Sequence, residues 1–362
     1  MFRREKLVLF AVLPLVAVLS PAFALAAANQ TPEQTSVEAA ALNNQAVAAV
    51  ENHHYQEAIE LFKQAIALRP DSAMAHYNLG RLYQTQDQFR LAIDAFNLAA
   101  HLNPAFADAH HYLGVSYNKI EHFEDAIECF KRALRLTPDR ADSLSELGFA
   151  YFMLGRNEEA AESCKEAIRL KPDLTDAYSS LGLAYFKLGQ RTEAIECLEH
   201  ALRLEPDYAE VHNNLGYVYA DAGRFDEAIA AYQQAIRLRP KYSEAINNLG
   251  VAYCSLGDYD AAIKTLQRAI HLGPRTAAPH YNLGYVYSRS GRLKQAIESY
   301  RQAITLKPDL AEAYTNLAIL YLQRGERGLA LEQYGLLKLI NYQMAEKLFA
   351  LIYRDKILDA GR

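Results

Sequence analysis

The sequence is short of what most enzymes display. Across 362 residues there is no HxxxH or HExxH spacing, no P-loop, no GxGxxG and no GxSxG. Those gaps remove the usual signatures of helical zinc sites, phosphate-cradling loops and nucleophile elbows. No cofactor or metal is therefore expected, and the chain reads as a non-enzyme. Positive charge is also scarce, with 38 Lys and Arg against 43 Asp and Glu, and three of those cations sit at the very start as Arg3, Arg4 and Lys6. A mildly acidic chain lacks the electrostatic footprint of a nucleic-acid binder. Cysteine is limited to Cys129, Cys164, Cys197 and Cys254, with no CxxC pair. Packed helix axes lie about 8–10 Å apart whereas a disulfide holds its Cα atoms within about 7 Å, so partly buried thiols are expected rather than bridges between neighbouring segments.

What is abundant is repetition. Pro70, Pro104, Pro138, Pro172, Pro206, Pro240, Pro274 and Pro308 fall 34 residues apart. A fixed period of that size marks a stacked repeat architecture, which is not limited to one globular core. The stretch from Ala209 to Tyr242 carries the pattern most fully. With positions numbered 1 to 34 from Ala209, His212, Leu215, Gly216 and Tyr219 share one helical face, and Phe225, Ala228, Ile229, Tyr232, Ala235 and Ile236 share a second. Two amphipathic helices and two short turns fill each period. Glycine at position 15 (Gly155, Gly189, Gly223, Gly257, Gly291, Gly325) suits a left-handed stop to the first helix, and proline at position 32 closes the second. Glycine also recurs at position 8, from Gly80 to Gly284, with Ala46 and Ala318 in the outer periods. Inside a helix it costs up to about 1 kcal/mol against alanine, so a close helix approach is expected there. Tyrosine at position 11 is expected to be its large counterpart, with alanine at position 20.

Leu-Gly, tyrosine three residues on, the later alanines and the closing proline together resemble the tetratricopeptide repeat. The resemblance covers residues 39–344 in nine periods starting at 39, 73, 107, 141, 175, 209, 243, 277 and 311. It implies an all-α fold, a right-handed superhelical solenoid of stacked antiparallel helix pairs. Departures fall at the ends, with Gln45, Ala46 and Ala49 in the first period and Tyr342 in place of the last proline. Residues 345–362 are expected to hold a C-terminal capping helix with Leu348, Leu351 and Ile352 inward.

The N-terminus reads as an export signal over residues 1–28. A cationic start is followed by the apolar run Leu7–Leu19 and then by small residues around Ala24 and Ala28. The run is short for a membrane span, and an uncleaved anchor is the alternative. In the first case the product is exported, as to a bacterial periplasm. In the second, the segment is the chain's contact with the membrane. Residues 29–38 are expected to form a polar linker.

In tetratricopeptide proteins the first helices line a concave groove that receives a protein or peptide, which implies that positions 2, 5, 6, 9, 12 and 13 face a partner. Asn78, Asn214, Asn248, Asn282 and Asn316 occupy position 6, and Asn213 and Asn247 occupy position 5. The series is similar to the asparagine ladder of the tetratricopeptide superhelix of O-GlcNAc transferase. Such amides can clamp an extended peptide backbone or bond within the stack. The series is interrupted by Tyr112, Glu146 and Ser180, where Phe149, Phe152, Phe186 and Tyr217 form either a partner patch or inter-repeat packing. The acids at position 2 complement the helix dipole. Positions 2 and 5 carry no Lys or Arg, so the carboxylate-clamp class of ligand is disfavoured. The function expected is a scaffold or adaptor of the cell envelope holding an extended segment in its groove. The alternative is the regulatory or targeting arm of an envelope enzyme, or of an exopolysaccharide or pilus export complex.

Overall fold

The computed structural model describes residues 31–353, so the expected signal segment lies outside the described residues. Those residues form nineteen helices and no strand. The first repeat pairs α1 (Pro32–Glu51) with α2 (Tyr55–Leu68), the second α3 (Ala73–Thr85) with α4 (Phe89–Leu102), and the third α5 (Ala107–Lys119) with α6 (Phe123–Leu136). Then come α7 (Ala141–Met153) with α8 (Asn157–Leu170), α9 (Thr175–Lys187) with α10 (Arg191–Leu204), and α11 (Ala209–Asp221) with α12 (Phe225–Leu238). The last three pairs are α13 (Ser243–Leu256) with α14 (Tyr259–Leu272), α15 (Ala277–Arg289) with α16 (Leu293–Leu306), and α17 (Ala311–Gln323) with α18 (Arg327–Ile340), followed by α19 (Tyr342–Ile352). Consecutive helices run antiparallel, and the chain divides into two compact units, one ending at Ser180 and the other beginning at Leu181.

Local chemistry fixes where each helix stops. Position 15 is left-handed in every repeat, with φ of 73° at Gly155 and 83° at Gly257. The first three repeats place His53, Asp87 and Glu121 there at φ of 61°, 56° and 63°, which costs a residue with a Cβ about 1–2 kcal/mol. Each of the first eight second helices ends two residues before its proline. Arg69, for example, sits at φ −137° and ψ 81°, because a residue preceding proline is pushed out of the helical region.

Packing within a repeat turns on position 8, and here one expectation is corrected. The large partner of the glycine is the position-24 residue of the second helix, not the position-11 tyrosine. A Cβ on Gly216 would meet ring carbons of Tyr232 at 2.8 Å, and one on Gly80 would meet Phe96 at 2.8 Å. The side chains that fill these notches, Phe62, Phe96, Phe130, Leu198, Tyr232, Leu266 and Tyr300, are almost wholly buried. Position-11 tyrosines instead tie one repeat to the one before. The Tyr219 hydroxyl donates to Glu199 at 2.7 Å, and Tyr253 and Tyr321 accept from Gln233 (3.0 Å) and Arg301 (2.8 Å).

The ends are also corrected. The stretch expected as a linker is helical from Pro32, because Thr31 and Gln34 form a capping box and proline at the first helical position lacks only an N–H that would have no partner. At the other end α19 begins at Tyr342, three residues earlier than expected, since Asn341 accepts from the Met344 amide as an N-cap. Its buried stripe is Ala345, Leu348 and Ile352, while Leu351 is 41% exposed rather than inward. Cys129 is a buried thiol whose pKa is pushed up to about 12 by loss of water, so it is inert as a nucleophile at neutral pH.

Candidate functional site

The face presented by the first helices is organised by the side chains at positions 5, 6 and 9. Position 6 carries most of the asparagines, and its amides bond to the preceding repeat. Asn78 Nδ2 donates to Asn43 at 3.1 Å, Asn248 to Asn213 at 3.2 Å, Asn282 to Asn247 at 2.8 Å and Asn316 to the Tyr281 hydroxyl at 3.1 Å. Asn247 in turn donates to Asn248 at 3.3 Å, and Asn213 to the Glu244 carboxylate at 3.3 Å. A hydrogen-bonded run therefore threads α15, α13 and α11 through Asn282, Asn247, Asn248 and Asn213.

Position 5 faces the neighbouring first helix rather than open solvent. Asn213 is only 2% exposed, so its amide serves the stack and cannot reach a bound segment. Asn78, Asn214, Asn247, Asn248, Asn282 and Asn316 are half-buried. The Asn78, Asn248 and Asn282 amides each use one N–H of two, which leaves a second donor for an outside acceptor, whereas Asn316 is bonded to both Tyr281 and Tyr300.

Position 9 is where apolar surface opens. Tyr217, Val251 and Tyr285, one per repeat on α11, α13 and α15, are 46%, 38% and 40% exposed. Tyr217 meets Phe186 edge-on with ring centroids 5.3 Å apart, and the Tyr285 hydroxyl accepts from Arg289 at 2.9 Å. In the first unit Phe149 is half-buried and packs edge-on against Phe123 of α6 at 6.2 Å, and Phe152 is half-buried. The four aromatics predicted together are thus placed as Phe149 and Phe152 in one unit and the Phe186–Tyr217 pair in the other.

Where the asparagine series is interrupted, the first unit carries a different polar network that the sequence reading did not single out. Gln84 bonds the Ser116 hydroxyl at 2.9 Å, His111 Nδ1 lies 2.8 Å from the Ser143 hydroxyl, and Asn118 donates to Glu146 at 2.9 Å. Burial raises the Glu146 carboxyl above its usual range and, as the larger effect, outweighs the Asn118 hydrogen bond. His111 is pushed down to about 3, mainly by desolvation and secondarily by the positive charge of Arg140. Its imidazole is therefore neutral. The visible signal was Ser116 and Asn118 at positions 10 and 12 of one repeat, places where neighbours are largely apolar.

The position-4 histidines are structural. His76, His110 and His212 place Nε2 against the carbonyls of Pro70, Pro104 and Pro206 at 3.0, 3.1 and 2.9 Å. The Tyr314 hydroxyl does the same at Pro308. Each satisfies a carbonyl just beyond the end of a second helix. Among the described residues no group of three or more His, Cys, Asp or Glu is arranged to hold a metal, and no helix is long and apolar enough to cross a membrane.

Comparison with known proteins matches these repeats to families. Tetratricopeptide repeat models match residues 50–87, 73–106 and 289–325, and the model of the cilia- and flagella-associated protein 70 C-terminal domain matches residues 107–285. No curated protein sequence matches the chain. Among solved structures, MamA is 30% identical, covering 47% of this chain and 92% of its own, with a TM-score of 0.40. Pseudomonas aeruginosa pilF is 20% identical over 58% of this chain and 96% of its own, with a TM-score of 0.50. The Cut9–Hcn1 tetramer of the APC/C is 18% identical over 91% and 86%, with a TM-score of 0.53. The last two share the fold.

Proposed function

The chain belongs to the tetratricopeptide-repeat proteins, and on that premise we propose that it is a non-catalytic scaffold that holds an extended segment of a partner protein along its first helices. Proteins of this family are in general protein–protein interaction scaffolds. The observation that carries the reading is the position-9 column Tyr217, Val251 and Tyr285. These are large apolar side chains left exposed at one-repeat intervals, flanked by asparagines that each retain a free N–H. Apolar anchors supply affinity and the spare amides fix a backbone without reading its sequence.

Export is part of the proposal. The cationic start, short apolar run and small residues before Asn29 support delivery to the cell envelope. Fractionation of cells expressing a C-terminally tagged chain, with N-terminal sequencing of the product, tests it. An unprocessed protein in the soluble cytosolic fraction would contradict it. For the groove, the measurement is affinity capture from an envelope extract by the chain lacking residues 1–28. Replacing Tyr217→Ala together with Tyr285→Ala should abolish capture of a partner that the parent retains, with unchanged melting temperature. Equal capture by both chains removes these residues from the interface.

A further inference from the structure

A cavity of the first unit lies away from the position-9 face, between the second helices α4 and α6, with a volume of about 610 Å³. One residue of its wall departs from the repeat. Position 28 is Ile66, Leu134, Ile168, Leu202, Ile236, Ile270 and Ile304 in seven repeats, but Ala100 in the second. Ala100 lines the space, and it is smaller by three side-chain carbons than the residue those repeats carry. The chemistry around the gap is cationic. His101 and Asn97 come from α4, His110 from α5, and Arg132 with Arg135 from successive turns of α6, and no lining residue is acidic.

The freedom of Arg132 follows from the repeat itself. Arg268 holds the same position 26 four repeats later and donates to the Pro240 carbonyl at 2.7 Å. In the third repeat the corresponding carbonyl, Pro104, is already taken by His110 Nε2. Arg132 makes no such bond, and neither it nor Arg135 makes a hydrogen bond or ion pair among the described residues. His110 itself is 6% exposed, and its Nδ1 is buried without a partner. Two unpaired guanidinium groups, the His101 imidazole and the Asn97 amide around one space are the donor set for a multi-oxygen anion. The apolar wall of Leu113 and Leu136 leaves room for the body that carries it.

We infer that this cavity binds the phosphate group of an organic phosphate ester, with Arg132 and Arg135 as its principal ligands. The ester is either a soluble metabolite or a lipid headgroup, and the test separates the two. Glycerol 3-phosphate is titrated into the chain by calorimetry, and vesicles of phosphatidylcholine with and without phosphatidate are co-sedimented with it. Binding of the soluble ester identifies the first source, and binding to phosphatidate vesicles alone identifies the second. In either arm Arg132→Gln with Arg135→Gln should weaken binding about tenfold or more, since each lost charge-assisted bond is worth at least about that factor. Ala100→Ile keeps every charge and fills the space with the residue other repeats use there, so it should remove binding while leaving the melting temperature unchanged or raised. The inference is overturned if the parent chain binds neither probe. It is equally overturned if the folded Ala100→Ile chain binds as the parent does, or if the double arginine variant, altered only at exposed side chains, binds unchanged.

Discussion

Acidification should loosen the first unit at one identifiable side chain. His111 lies between α5 and α7 and is 5% exposed, its ring against Tyr112 (4.8 Å) and Phe130 (5.8 Å) and its Nδ1 at the Ser143 hydroxyl. Its pKa falls from 6.5 to about 3, with burial first and Arg140 second among the causes, Arg81 adding to them and Asp108 opposing. Because the folded value is depressed, the unfolded chain binds the proton more readily. The stability that the neutral ring contributes is fully present above pH 6.5 and is lost progressively as pH falls toward the folded value. Linkage puts the loss between roughly pH 7.5 and pH 5 at about 2 kcal/mol. For a unit of this size that is about 4–8 °C in melting temperature. His76, also depressed by burial, adds a smaller drop of the same sign. The assay compares thermal melts by circular dichroism at both pH values for the parent chain and for His111→Gln, whose side chain does not titrate. The variant will be less stable at both, so the quantity of interest is the difference between its two melts. An equal pH dependence in variant and parent refutes the assignment to His111.

Three further outcomes follow from the packing. Gly216→Ala should lower the melting temperature, because the overpacking cost of about 1–3 kcal/mol against the Tyr232 ring exceeds the propensity gain of up to about 1 kcal/mol; a rise would refute the close approach. Glu121→Gly should stabilise by up to about 1 kcal/mol by relieving a left-handed residue at φ 63°, and an unchanged denaturation midpoint would contradict that. Asn248→Ala with Asn282→Ala should cost about 1 kcal/mol per lost hydrogen bond in a urea melt, and a neutral result would mean that the amide run is not structural.

Much of the fold was legible because it depends on local rules repeated many times. The 34-residue proline spacing, the glycine at position 15 and the two helical stripes each state a backbone preference that neighbours in the chain enforce. The ends were less legible. The Thr31–Gln34 capping box was present in the sequence, but the polar composition of residues 29–38 obscured it. Leu351 lies three residues from Leu348 and so shares its side of α19 by spacing, yet packing covers only Ala345, Leu348 and Ile352.

The site was legible only as a set of columns. Asparagine at positions 5 and 6 is plain in the sequence, yet adjacent residues on a helix lie about 100° apart, and periodicity cannot say which of the two meets the next helix. Packing decided it: Asn213 is enclosed, while Tyr217, four residues on, is left open to solvent. The cavity at Ala100 has the same history. A single alanine at a position held elsewhere by isoleucine or leucine was visible, but its meaning required knowing that the space beside it is lined by Arg132 and Arg135 with no partner of their own. The sequence by itself determined the period, the helix pairs and their stops, since those follow from backbone conformation and near-neighbour spacing. Tertiary structure alone decided that position 24 fills the position-8 notch, that the amides bond one another, and which side chains remain free, because each of these depends on contacts between residues about 16 to 35 places apart.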